Sequence, residues 1–289
     1  MSFVFSTFPD RNQYLPFVSI KEKYYLFAAM KTITIGEDYT QDYRITCTDM
    51  DSEYRMTPQA ILNMSQDTIA AYLTTRRLAA FDLQKEGFTW VLSEYTMEMT
   101  GELPLWREKI VVTVCPSEIS SMKLHMDYLV MNKAGESIAT GTSIWSIIGI
   151  STGRPEMISN HCTICGESVT RHPRNIVKAL DRCDLQFHYI TNISDIDFNG
   201  HVHNVSYLKI ALSCIPYELA RKMVVKKMTI RFLRQSFINE DLLCRIEKEE
   251  QENSALSSIS NSEGQEVCRI SATLQEIACR DFGEIVDRN

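Results

Sequence analysis

Thr48-Asp49-Met50-Asp51-Ser52-Glu53-Tyr54-Arg55-Met56 and Ser194-Asp195-Ile196-Asp197-Phe198-Asn199-Gly200-His201-Val202 read as one turn written twice. The aspartates match in both stretches, 195 against 49 and 197 against 51, a spacing of 146 residues each time. Each stretch follows a β-like run and precedes a helix-like one. Further along, Asn132-Lys133-Ala134-Gly135 corresponds to Asn261-Ser262-Glu263-Gly264, now 129 residues apart and again between two β-like runs. A shrinking spacing means a shorter second copy with its elements in the same order. Self-similarity of this kind signifies one supersecondary unit used twice.

Thr57-Pro58 is a good helix start, a hydroxyl cap followed by a proline where no N–H is needed. Ile61, Leu62, Ser65, Ile69, Tyr72 and Leu73 then recur on one face, which predicts a helix over 57–76. Four β-like stretches follow near 89–99, 109–115, 123–131 and 138–149. The second copy repeats the order, with a helix over 204–215 ending at Pro216 and β-like runs near 225–235, 241–248, 255–261 and 267–277. One long helix with a preceding strand and consecutive antiparallel strands has a natural packed solution: the sheet curls round the helix and buries its apolar stripe. The expected fold class is therefore α+β, two antiparallel sheets in tandem, each wrapped round a long central helix and able to join edge to edge. Residues 1–37 form an N-terminal extension, 38–155 the first unit, 156–184 a crossing linker and 185–289 the second unit.

A chain of 289 residues with 44% hydrophobic and 23% charged residues has the balance of a soluble globular protein. No apolar run approaches the roughly 20 residues that span a bilayer, and the first residues lack the basic-then-apolar pattern of a secretory signal. The cytoplasm is the expected compartment. A net charge of −7 argues against a nucleic-acid partner. Arg76–Arg77 and the group Arg221, Lys222, Lys226, Lys227, Arg231 and Arg234 are the only candidate basic patches. Most of the nine cysteines stand singly in apolar runs, which suits reduced, buried thiols. His161, Cys162, Cys165, His172 and Cys183 cluster in sequence, but with no second CxxC they read as a reduced linker, and no metal site is expected.

The two copies of the turn differ where chemistry would need it. Asp197, Asn199 and His201 stand where the first copy has Asp51, Glu53 and Arg55, so only the second offers a carboxylate with an amide and an imidazole. Gly200 beside them permits a tight backbone. An active site needs a group to orient water, one to take its proton and donors for a developing oxyanion, and a helix N-terminus offers the donors. The plainer reading is an Asx-rich turn with a capping residue. What shifts the balance is that the first copy builds the same turn without Asn, Gly or His.

The run Asp195-Ile196-Asp197-Phe198-Asn199-Gly200-His201-Val202-His203-Asn204-Val205-Ser206-Tyr207 resembles the signature of the acyl-ACP thioesterase family, D-x-N-x-H-V-N-N-x-x-Y. Phe88-Thr89-Trp90-Val91-Leu92-Ser93, Ser143-Ile144-Trp145-Ser146 and Thr152-Gly153-Arg154-Pro155 are similar to stretches of that family's N-terminal half, and the resemblance covers residues 38–277. It implies a double hotdog fold and hydrolysis of a fatty acyl thioester on acyl carrier protein, without a cofactor. Carried across by position, Asp197, Asn199 and His201 are catalytic. The family places a glutamate in a later strand, where alignment on Phe232-Leu233-Arg234 puts Gln235. Glutamine can hold a water but cannot act as a base, so either Asp197 takes the proton or the enzyme is slow or altered. His203 replaces an asparagine of the pattern and reads as a neighbour that tunes the site.

The family's N-terminal half supplies the slot for the acyl chain, which makes Met64, Ile69, Trp90, Leu92 and Trp145 the candidate lining. Apolar side chains at such spacings are more often plain core. Three alternatives stay open on the sequence: an acyl-CoA hydrolase on the same fold, a non-catalytic acyl-binding protein, and a hotdog dehydratase. The last needs a histidine and a carboxylate across two copies, and the first copy has no matching histidine. Both partners of the hotdog pair lie in one chain, so a monomer is complete, and a homodimer is the other expected state.

Overall fold

The computed structural model describes residues 31–168, 170–173, 175–249 and 253–277, so most of the expected N-terminal extension lies outside the described residues. Thr57 starts the first long helix as its sequence predicts. Its hydroxyl accepts a hydrogen bond from the Ala60 N–H at 3.2 Å, and Pro58 takes the first helical position, giving α1, Pro58–Thr75. Ile61, Leu62, Met64, Ser65, Ile69 and Tyr72 are buried along it. Before α1 come β1 (Thr32–Thr34) and β2 (Tyr39–Arg44). After it come a short helix, α2 (Ala80–Gln84), and four strands, β3 (Phe88–Met99), β4 (Lys109–Ile119), β5 (Leu124–Asn132) and β6 (Ser137–Gly149). The crossing segment carries one short strand, β7 (Thr163–Cys165). The second unit runs β8 (Leu185–Ile190), α3 (Asn204–Ser213), α4 (Tyr217–Ala220), β9 (Met223–Phe232), β10 (Asp241–Glu249), β11 (Ser254–Ser260) and β12 (Glu266–Glu276). Each long element falls within a few residues of its sequence expectation, because alternation and capping are local signals.

The sheet order makes the duplication explicit. Ten strands run β2-β4-β5-β6-β3-β9-β12-β11-β10-β8, so each half has the same internal order read from its outer edge. The halves join where β3 pairs antiparallel with β9, Glu94 opposite Arg231 and Thr96 opposite Thr229. The result is the tandem hotdog arrangement: one continuous sheet with α1 and α3 packed side by side against it. The helices touch, and Asn204 Nδ2 donates to Gln66 Oε1 at 3.0 Å. A single apolar core, from Ile33 to Ile270, runs through both halves.

The crossing segment is more ordered than its mixed composition suggests. β7 pairs in parallel with β1, tying the described end of the extension to the segment after β6. Three-residue strands carry too little alternation to be legible in sequence. Farther on, the segment straps the sheet face turned away from α1. Tyr95 reaches the Ser65 hydroxyl of α1, so neighbouring Glu94 points to the opposite face. There Asn175 Nδ2 donates to Glu94 Oε1 at 2.8 Å, Arg269 Nη1 to the Val177 carbonyl at 2.9 Å, and the Asp181 N–H to Glu247 Oε2 at 2.7 Å. The strap crosses the seam between the halves and holds partners on both sides of it.

The candidate basic patches are partly taken up by ion pairs. Arg76 meets Glu37, Arg221 Nε lies 2.6 Å from Glu53, Lys227 3.5 Å from Glu98 and Arg231 3.8 Å from Glu94. Several of these pairs bridge the two halves, which gives the cluster a structural use.

Candidate active site

Both copies fold the turn in the same way. The Asp51 N–H donates to the Arg55 carbonyl at 2.8 Å, and the Asp197 N–H to the His201 carbonyl at 2.9 Å. One residue in each turn takes the left-handed region, Tyr54 at φ 58° and Gly200 at φ 78°. Glycine reaches that region freely, tyrosine only with strain. Asp51 Oδ1 accepts from the Glu53 and Arg55 N–H groups at 2.8 and 3.0 Å, and Asp197 Oδ1 from the Asn199 and His201 N–H groups at 2.8 and 3.4 Å. The aspartate caps its own turn in each half, so the plainer Asx-turn reading holds as far as it goes.

The halves part at the second carboxylate oxygen. Asp51 Oδ2 sits 2.7 Å from Nε of Arg55, a guanidinium only 3% exposed that also donates to the carbonyls of Ala220 and Arg221. Asp197 Oδ2 faces the Asn199 amide nitrogen at 3.3 Å, and among the described residues no cation is paired with it. A carboxylate locked to a buried guanidinium is spent on structure, whereas one held only by amides keeps its charge available. Of the two matched aspartates, Asp51 and Asp197, only Asp197 is without a guanidinium partner.

That carboxylate lies on the wall of a cleft of about 430 Å³ between the first turns of α1 and α3. Asp49, Gln59 and Asn63 line it from the first half, and Ser194, Asp197 and His203 from the second. The Gln59 Oε1 atom is buried with no hydrogen-bond partner among the described residues. His203, read from sequence as a tuning neighbour, has a larger part. It caps α3, with Nδ1 accepting from the Val205 N–H at 3.3 Å, so the proton of its neutral ring resides on Nε2. Burial pushes its pKa below the usual 6.5, against an opposing pull from the Asp197 charge. The signal that could have revealed it was its place immediately before the helix start, matching Thr57 in the first copy.

The lowered value has a consequence for stability. Protons bind the unfolded imidazole more tightly than the folded one, so folding is penalised as pH falls below about 6.5. His203→Asn keeps a side chain able to cap and removes the titration. Urea unfolding between pH 7 and pH 5 is expected to show a smaller loss of stability in the variant than in the parent. Equal losses would contradict a buried, neutral His203.

The remaining expected site residues are dispersed. Asn199 adjoins Asp197, and its Oδ1 accepts from Gln84 Nε2 of α2 at 2.6 Å. The His201 ring lies edge-on to Phe237, centroids 5.2 Å apart, and does not line the cleft. Gln235 is exposed in the loop after β9, not in a strand. The ladder ends at Phe232 because the Leu233 and Arg234 N–H groups both turn to the Val267 carbonyl. The neighbouring Ser236 is buried and its carbonyl accepts from the Val202 N–H at 2.9 Å, so Ser236, like Phe237, adjoins the turn. Met64, Ile69, Trp90 and Leu92 are buried and Trp145 partly so, all in the common core and off the cleft walls. The indoles are satisfied locally, Trp90 by the Leu78 carbonyl at 2.7 Å and Trp145 by the Ser143 hydroxyl at 2.8 Å.

The cysteine–histidine cluster is spread along the crossing segment. His161 packs against Phe88, the Cys162 thiol meets the Ile158 carbonyl, and His172 Nε2 lies 3.2 Å from Asp127. Among the described residues no three His, Cys, Asp or Glu side chains are grouped as metal ligands.

Comparison with known proteins agrees with the duplicated sheet. Residues 36–164 match the acyl-ACP thioesterase N-terminal domain and residues 180–276 the acyl-ACP thioesterase C-terminal domain. A chloroplastic palmitoyl-acyl carrier protein thioesterase of Arabidopsis thaliana is 20% identical over 228 residues, 72% of this chain and 55% of that protein. The chain thus spans about half the length of the curated relatives it matches. Among solved structures, an acyl-ACP thioesterase from Bacteroides thetaiotaomicron superposes with a TM-score of 0.72 at 20% identity, covering 82% of this chain and 98% of that one. The 12:0-ACP thioesterase from Umbellularia californica gives 0.72 at 15% identity, covering 83% and 98%. These likenesses carry the fold. With the two domains matched in order, one to each half of the sheet, the chain belongs to the acyl-ACP thioesterase family.

Proposed function

We propose that the chain hydrolyses fatty acyl-ACP thioesters to free fatty acid and acyl carrier protein, with Asp197 as the group that takes the proton from water. The observation that carries this reading is the contrast between the turns: Asp51 is neutralised by Arg55, while Asp197 has only amide partners and lines the cleft. Water adds to the thioester carbonyl carbon as its proton passes to Asp197. The C–S bond then breaks, and the departing thiolate recovers that proton to leave as a thiol. Asn199 fixes the carboxylate, and the α3 N-terminus with the Nε2–H of His203 supplies donors for the developing oxyanion. His201 and Gln235 are proposed to act through the turn and the bound water, respectively. No described contact places either on the cleft, so Asp197 bears the larger share. Gln59 Oε1, buried and unpartnered, offers an acceptor for an amide N–H of the carrier's arm.

Met64, Ile69, Trp90, Leu92 and Trp145 belong to the core cluster of the first half and are proposed to part around the acyl chain. The cytoplasm is the proposed compartment, supported by free thiols at every cysteine among the described residues. No helix among them is long and apolar enough to cross a membrane. A single chain holds both halves of the sheet and is proposed to act as a monomer or as one half of a homodimer.

Incubation with acyl-ACPs of graded chain length, beside the matching acyl-CoAs, tests the proposal. Release of free acid from acyl-ACP at the higher kcat/KM is expected. Preference for acyl-CoA would reassign the carrier, and binding without release from either would make this an acyl-binding protein.

A further inference from the structure

Each turn is gripped by a short helix from the opposite half. In the first half, Glu53 and Arg55 are held by α4: Arg221, just past its end, lies 2.6 Å from Glu53, and the carbonyls of Ala220 and Arg221 accept from Arg55. In the second half the grip comes from α2. Phe81 packs on Phe198 with ring centroids 4.7 Å apart, and Gln84 Nε2 lies 2.6 Å from Asn199 Oδ1. The first grip is ionic and the second is a pair of neutral amides.

The polarity of that second chain of contacts is forced. A carboxylate only accepts, so Asn199 must turn its amide N–H toward Asp197 Oδ2. Its carbonyl oxygen then faces α2 and needs a donor. Gln84 supplies one. Without it, the carbonyl of a half-buried Asn199 would have lost its partner, and only the 3.3 Å contact with Asp197 would hold the amide in place. The first half therefore reaches across the molecule to reinforce which end of Asn199 the carboxylate meets.

The geometry points to Gln84 as a positioning residue for thioester hydrolysis, acting from the first half through Asn199 on Asp197. This inference rests on the reaction proposed above. It gives the first half a share in the chemistry as well as in acyl binding, and it places a determinant of rate 115 positions away from the motif in sequence.

Replacing the amide donor by a carboxylate provides the sharpest test. An ionised carboxylate cannot donate, so Gln84→Glu is expected to rotate Asn199 and lower kcat about tenfold, the loss of one well-made hydrogen bond, with KM changed less than about twofold. Once protonated, the carboxyl group of that variant regains an O–H donor. The ratio of variant to parent kcat is therefore expected to climb as pH falls toward the ordinary carboxyl range near 4.3, and taking the ratio at each pH cancels the parent's own acid loss. Gln84→Ala is expected to lower kcat by a similar factor in the parent and to add nothing on an Asn199→Ala background, because both changes act on one path. Urea midpoints of every variant establish that each is folded. A flat pH ratio in Gln84→Glu, or a Gln84→Ala effect that multiplies with that of Asn199→Ala, would overturn the inference. Full turnover in Gln84 variants alongside lost turnover in Asp197→Asn overturns it alone. Full turnover in Asp197→Asn overturns the reaction assignment and this inference with it.

Discussion

Asp197→Asn is expected to remain folded and to release fatty acid from acyl-ACP about 10²- to 10⁴-fold more slowly than the parent, the range for removing a general base. The folded state survives because the amide oxygen of asparagine can accept the two backbone N–H bonds that Asp197 Oδ1 now accepts. What disappears is the basic lone pair on the cleft wall. Single-turnover release of labelled acyl chain reads the chemical step directly, and an unchanged urea midpoint would show that the turn persists. Turnover within about threefold of the parent would exclude Asp197 as the proton acceptor.

The equivalent turn in the first half is expected to answer in the opposite way. Arg55→Ala removes a guanidinium that is 3% exposed and that pairs with Asp51 while donating to two carbonyls of the other half. Removing one member of a buried pair commonly costs about 3–5 kcal/mol. Asp51 is 32% exposed and water can solvate it in part, so the lower end, about 3 kcal/mol, applies here. The loss appears as a lowered urea midpoint, and kcat of the folded fraction is expected to stay within about twofold. The pair of variants separates two aspartates with nearly the same backbone geometry, one structural and one chemical. A large fall in kcat without loss of stability in Arg55→Ala would overturn that separation.

Asp197 could be singled out in sequence because the turn recurs at a fixed spacing and Asn, Gly and His enter only once. Its turn-capping bonds were also legible, since Asx turns are closed by residues two and four positions on. Gln235 shows where strand length read from sequence overshoots. Extending β9 from Phe232 through Gln235 assumes that the ladder continues, but two successive N–H groups converge on the Val267 carbonyl and the chain leaves the sheet. The double placement of His203 is decided by packing. Its ring reaches both the helix start and the cleft, and the cleft exists only once α3 lies beside α1.

By itself the sequence determined the duplication, the order of helix and strands in each half, the start of α1 at Thr57-Pro58 and the asymmetry of the two turns. The elements and the helix start are encoded within windows of about ten to twenty residues by side-chain period and capping chemistry, and the duplication by comparing two such windows 146 residues apart. Only the tertiary structure decided that β3 meets β9, that the crossing segment straps the outer face, and that Gln84 holds Asn199. Each of those contacts joins residues far apart in the chain, and its partner is chosen by how two curved half-sheets and their helices pack, which no local pattern records.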